Sequence, residues 1–159
     1  ILLIFRGILV DFFSLIFLVV ALDQFIKYLI INYMLNNYSD IEILPILNIT
    51  LVFNSGVAFG ILQKFGQNLP IILTIIGFVL GLFIIIWSLY FKKHYISMAL
   101  ISAGAFGNAI DRARFGVVID YIDVFWRNWH WPAFNIADIS ICLGAFIYLY
   151  CELIRKRVK

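Results

Sequence analysis

Charge is scarce in this sequence: its 159 residues hold 12 Lys or Arg and 9 Asp or Glu, a net charge of +3. The charged share is 13% beside 64% hydrophobic, where a soluble domain carries about a quarter charged and about half apolar residues. Water is the wrong solvent for most of such a surface, which excludes a disordered chain, a collagen-like chain and an ordinary water-soluble enzyme. The small, scattered basic surplus makes no nucleic-acid footprint, so no nucleic-acid partner is expected. Only two cysteines occur, Cys142 and Cys151. On one helix, at about 100° per residue, they point to opposite faces and cannot pair. The two histidines, His94 and His130, lack a His-Glu-x-x-His or Cys-x-x-Cys companion, so neither a metal nor a cofactor is expected. No internal repeat or low-complexity tract is present.

Apolar length is plentiful. Crossing about 30 Å of hydrocarbon takes roughly 20 helical residues. Residues 65–91, uncharged between Lys64 and Lys92, form the clearest span. Gly7 to Leu22, Tyr95 to Ile110 and Ile139 to Cys151 are shorter, and lengthen by taking in the polar residues at their ends. The pattern predicts an all-α membrane protein, one domain over 1–159, with four transmembrane helices at about 9–30, 68–91, 95–112 and 136–154. Outer segments at about 32–67 and 112–135 carry a small β element on the outer face. No small-residue cleavage site follows Leu22, so the first stretch reads as a retained span rather than a secretory signal. The opening Ile in place of Met suggests a trimmed or altered start.

Arg6, Lys92, Lys93, Arg155, Lys156, Arg157 and Lys159 fall on one side of such a bundle; Lys27, Lys64, Arg112, Arg114 and Arg127 fall on the other. The larger set marks the cytoplasmic side, where both termini are expected. In the first outer segment Leu47, Ile49, Leu51 and Phe53 alternate with Asn48, Thr50 and Val52, a strand pattern. The second holds Trp126, Trp129 and Trp131, and Trp prefers the headgroup layer. Both segments are expected to lie on the bilayer.

Ionisable groups in or beside spans are costly, so their positions carry functional information. Asp23 and Lys27, at i and i+4, read as an ion pair anchoring the outer end of the first span. Asp11 near Arg6 reads as interfacial. In the third span Gly104, Asn108 and Asp111 fall within about 60° of one another, a backbone-exposed groove running into an amide and a carboxylate. Close packing explains the glycines there, but not the polar pair beneath them. Asp120 is a lone carboxylate in an apolar run, with a solvated loop acid as the plain alternative. Asp123 and Arg127 suit a surface pair at i, i+4. Asn135 and Asp138 suit the N-cap and third residue of the last helix. Asn54, Ser55, Gly56 and Gly60 suggest a tight turn whose backbone can approach a ligand.

Ser55 lacks a nucleophile elbow and His130 sits among tryptophans, so a Ser/His peptidase has no support. Asp120 and Asp138 both fall at the outer interface, and two aspartates brought close together share a proton because both cannot ionise cheaply. One then activates water while the other donates to a departing amide nitrogen. The competing class is a small transporter or assembly scaffold with buried carboxylates. A presenilin-like protease is disfavoured by the absent Gly-x-Gly-Asp signature.

Five motifs in order carry a resemblance: Asp23-x-x-x-Lys27; Asn54-x-Gly56-x-Ala58-Phe59-Gly60; Gly104-x-x-Gly107-Asn108-x-x-Asp111-Arg112; Gly116-x-Val118-x-Asp120; and Phe134-Asn135-x-Ala137-Asp138. The chain resembles the lipoprotein signal peptidases, or signal peptidase II, the bacterial aspartic peptidases that remove signal peptides from lipid-modified prolipoproteins. The resemblance implies a metal-independent enzyme of the bacterial cytoplasmic membrane, cutting just before a diacylglyceryl cysteine at the outer face. It implies Asp120 and Asp138 as the catalytic pair. Asn54, Gly56, Gly104, Asn108, Asp111, Arg112 and Asn135 become site-lining, substrate-binding positions, and Asp23 with Lys27 a family pair of structural or unassigned role. Partners would be the prolipoprotein and membrane lipids, and the expected state is a monomer, although Gly77-x-x-x-Gly81 permits helix contact. Ala103 stands where the family has a second Gly, and Tyr121 where it has Phe.

Overall fold

The computed structural model describes residues 2–37, 39–56 and 68–157. Ala58, Phe59, Gly60 and Lys64 lie outside the described residues. The elements run α1 (Leu2–Asn37), β1 (Ile41–Leu44), β2 (Leu47–Asn54), α2 (Leu69–Phe91), α3 (Tyr95–Phe115), β3 (Val118–Trp126), β4 (Trp129–His130) and α4 (Ile136–Arg157).

Among the described residues three helices are long and apolar enough to cross a membrane: Arg6–Asn37, Leu69–Phe91 and Ile136–Arg155. Helix α3, 21 residues long, is not among them. It packs against α1, α2 and α4, and its Ser97, Ala99, Ser102, Ala103, Gly104, Gly107 and Ala109 are buried. Small side chains let backbones approach where lipid supplies no hydrophobic drive between helices. Phe12 and Ile16 of α1, Ile85 of α2, and Met98, Ala99 and Ala103 of α3 form the core cluster. Ala103 is thus a packing residue. The glycines at 77 and 81 serve the same purpose inside the chain: a Cβ on Gly77 would lie 2.9 Å from the Ala109 Cβ, and one on Gly81 would meet the Phe106 ring.

Helix α1 has 36 residues, so at 1.5 Å per residue it is about 54 Å long and overruns the expected span. Asp23 and Lys27 therefore lie within the helix instead of ending it.

The β structure is larger than the single strand expected. Four antiparallel strands form a sheet in the order β1, β2, β3, β4. Asn54 pairs with Val118 and Val52 with Asp120, with an irregularity between Ile49 and Val52. The run from Val118 to Trp126 is rich in β-branched and aromatic residues, which suit a strand covered on both faces. This overturns the Asp123 and Arg127 pairing: on a strand, positions four apart are not neighbours. Asp123 instead meets His130 Nδ1 at 2.9 Å across the β3–β4 hairpin, and Arg127 occupies the turn with φ 54°.

Candidate active site

Two junctions deliver the carboxylates. Helix α3 stops at Gly116, whose φ of 75° is readily adopted only without a Cβ, and its N–H bonds the Arg112 carbonyl at 3.0 Å. Strand β3 follows at once and carries Asp120 into the interior, 1% exposed. Helix α4 opens with a reciprocal cap: the Asp138 N–H donates to Asn135 Oδ1 at 2.9 Å, and the Asn135 N–H donates to Asp138 Oδ2 at 3.2 Å. Two of the first N–H groups' needs are met locally, and a carboxylate sits where the helix dipole favours it.

Three amides bind the two acids together. Asn135 Nδ2 donates to Asp120 Oδ1 at 2.6 Å and lies 3.1 Å from Asn108 Oδ1; Asn108 Nδ2 donates to Asp138 Oδ1 at 2.8 Å. Asn54 Nδ2 donates to Asp120 Oδ2 at 2.8 Å, because position 54 lies on the same face of β2 as Val52, which opposes Asp120. Asn54 also turns its own loop, accepting the Gly56 N–H at 2.8 Å, with Gly56 at φ 77°. A Cβ on Gly56 would come within 3.7 Å of Arg112 Nη2. Arg112, half-buried, feels the charges of Asp138, Asp111 and Asp120, and its Nε has no hydrogen-bond partner among the described residues.

Burial raises the Asp120 carboxyl above the usual carboxylate range. Donated hydrogen bonds from Asn54 and Asn135 and the Lys27 charge pull it partly back, while the Asp138 charge pushes it further up. Beside Asp138 lies an apolar groove of about 500 Å³ lined by Trp131, Phe134, Ile139, Cys142 and Leu143.

The expected residues thus fall into two groups. Asn54, Gly56, Asn108, Arg112, Asp120, Asn135 and Asp138 converge at this site. Gly104 and Asp111 do not open onto it. The glycine face of α3 is no exposed groove, because α4 closes it: a Cβ on Gly104 would collide with the Ala137 carbonyl and stand 2.6 Å from Ser140 Oγ. Asp111 is 1% exposed and meets Lys27 of α1 at 2.7 Å. Gln24, not singled out in the sequence, bridges this second cluster by donating to Asp111 Oδ1 at 2.7 Å. Its one available signal was adjacency to Asp23. No group of three or more His, Cys, Asp or Glu able to hold a metal occurs among the described residues.

The family model described as Signal peptidase (SPase) II matches residues 15–154. The chain belongs to that family. The lipoprotein signal peptidase of Thermodesulfovibrio yellowstonii is 41% identical over 142 residues, covering 87% of this chain and 91% of that protein. That of Polynucleobacter necessarius is 36% identical over 149 residues, covering 91% and 90%. A solved structure described as a bacterial membrane enzyme superposes with TM-score 0.72 at 34% identity, covering 90% of this chain and 92% of that one. As a signal peptidase II, the protein is an aspartic-type peptidase embedded in a bacterial membrane by several apolar helices.

Proposed function

We propose that the protein removes signal peptides from lipid-modified prolipoproteins, cutting just before the diacylglyceryl cysteine with Asp120 and Asp138 as an aspartate dyad. The observation that carries this is the chain of amides joining a buried carboxyl to one at an apolar groove, through Asn135 and Asn108. Asp120, whose burial favours the neutral form, is the proton donor of the pair. Asp138 takes a proton from water, the oxygen adds to the scissile carbonyl, and the Asp120 proton passes to the amide nitrogen as the bond breaks.

A signal peptide is a hydrophobic helix, and unwinding it around the scissile bond frees backbone groups that hydrocarbon cannot satisfy. Asn54, Asn108 and Arg112 meet those groups, the Arg112 guanidinium also stabilising developing negative charge, whereas Asn135, fully buried and bonded to Asp120 and Asp138, holds the two acids in place. Gly56 lets the loop backbone approach, while Gly104 and Asp111 act from behind as packing and support. The groove of Trp131, Phe134, Ile139, Cys142 and Leu143 receives apolar substrate chain sliding in from lipid.

In this reading α3 is a fourth span, sheltered by the other three, which is why it tolerates polar residues. Both termini face the cytoplasm and the sheet lies on the outer surface, with exposed Trp126, Trp129 and Trp131 in the headgroup layer. The basic tally agrees better once Lys27 is set aside, since it is paired inside the fold. The Gly77 and Gly81 contacts are used within the chain, in keeping with a monomer.

Purified protein incubated with a diacylglyceryl-modified precursor should cleave it with or without a chelator. Asp120→Asn and Asp138→Asn should each bind the precursor yet cleave at least about 10³-fold more slowly. Full activity in either variant would end the dyad reading.

A further inference from the structure

Behind the dyad lies a second buried cluster that the chemistry above leaves unused. Lys27 Nζ sits 2.8 Å from Asp23 Oδ2 and 2.7 Å from Asp111 Oδ2, all three side chains almost fully buried. Each carboxylate also accepts a backbone N–H from a different element. Asp23 Oδ1 accepts the Ala137 N–H at 3.0 Å, and Asp111 Oδ2 accepts the Ile119 N–H at 3.1 Å. Ala137 immediately precedes Asp138, and Ile119 immediately precedes Asp120. One ammonium of α1 therefore holds both carboxylates that grip the backbone one residue ahead of each acid of the dyad.

We propose that Asp23, Lys27 and Asp111 are positioning residues that set the separation of Asp120 and Asp138, with Lys27 as their common anchor. This rests on the dyad reading. Burying ions for stability alone is a poor bargain, since an apolar replacement is often as stable, so the cluster calls for another reason. Placement is that reason: a shift of about 1 Å in a reacting group costs on the order of 10²-fold in rate. The surroundings are shaped to hold the cluster still. Gln24 Nε2 donates to Asp111 Oδ1 at 2.7 Å and to the Gly107 carbonyl at 3.3 Å. Gly107 itself leaves space, because a Cβ there would stand 2.8 Å from Asp23 Oδ2.

The test is kcat and KM for a diacylglyceryl-modified precursor, measured per folded enzyme on the full chain. In Asp111→Asn the amide oxygen still accepts the Ile119 N–H and Lys27 keeps Asp23, so the variant gives up the Gln24 hydrogen bond but not the grip on β3. Its kcat should stay within about threefold of the parent, whereas Asp111→Ala should lose at least about 50-fold in kcat with KM within about twofold. Asp111→Asn as slow as Asp111→Ala would mean that the charge acts on the reacting atoms, and would overturn the positioning role. So would Asp111→Ala at the parental kcat. If Asp111→Ala does not fold, the triple variant Asp23→Asn, Lys27→Met, Asp111→Asn buries no charge but has no anchor. It should lose at least about tenfold in kcat at unchanged KM, and a parental kcat would overturn the proposal. Asp120→Asn runs alongside. If it cleaves normally the dyad reading itself fails; if it is inactive while Asp111→Ala is normal, only the positioning role fails.

Discussion

Helices α2 and α3 have nearly the same length, 23 and 21 residues, and opposite characters. Helix α2 has mean hydropathy 3.0 over its most apolar window and turns Ile71, Ile75, Val79 and Phe83 outward. Helix α3 buries Ser97, Ser102, Gly104, Gly107 and Asp111. In a water-soluble protein the apolar helix would be the buried one. Here the surrounding hydrocarbon rewards apolar side chains on the outside, and the interior selects residues that pack closely or pair with one another. The enclosed helix consequently supplies Asn108 and Arg112 to the site and Asp111 to the ion cluster behind it.

The largest expected effect attacks the α3–α4 contact. Gly104→Ala drives a Cβ into the Ala137 carbonyl, which is backbone and cannot step aside. Stability in unfolding measurements should fall by about 3 kcal/mol or more, and cleavage with it. An unchanged unfolding midpoint would break the contrast between the two helices. Gly81→Ala, on the α2 side, meets first the Phe106 ring, a side chain that can shift, so about 1–2 kcal/mol is expected from the same measurement.

A third measurement sharpens the polar end of the contrast. Burial raises the folded-state pKa of Asp120 above its unfolded value, so the folded protein holds that proton more tightly. The stability this contributes is complete below about pH 4 and is lost as pH rises through the raised pKa. Asp120→Asn should flatten that part of a plot of Tm against pH; an unchanged slope would show that other groups dominate it. The smallest effect belongs to the lipid face. Val79→Leu on α2 should leave stability within about 0.5 kcal/mol and cleavage unaltered.

The local features of the site were legible before any coordinates. Asn135 and Asp138 read as a helix start because capping depends on residues three apart, and the reciprocal bonds are there. The strand over Leu47 to Phe53 also read correctly, since alternation is a local signal. Strand β3 did not, because Val118 to Tyr121 are buried on both faces and show no alternation. Mistaking that strand led to the Asp123 and Arg127 pairing. Asp23 and Lys27 were correctly joined at i, i+4, but their third partner lies 84 positions away from Lys27 at Asp111, beyond any spacing rule. The groove expected at Gly104 failed for a related reason: spacing shows which residues share a face, not what covers it.

By itself the sequence determined the solvent, the apolar spans, the family and the caps and turns, since each depends on composition or on neighbours a few residues apart. Only the tertiary structure decided that α3 is enclosed, that β3 lays Asp120 against amides from β2 and from the cap ahead of α4, and that Lys27 reaches two carboxylates at once. Those outcomes depend on which faces meet. In a bilayer, backbones meet where small side chains allow close approach and buried polar groups find partners, and the partners are distant along the chain.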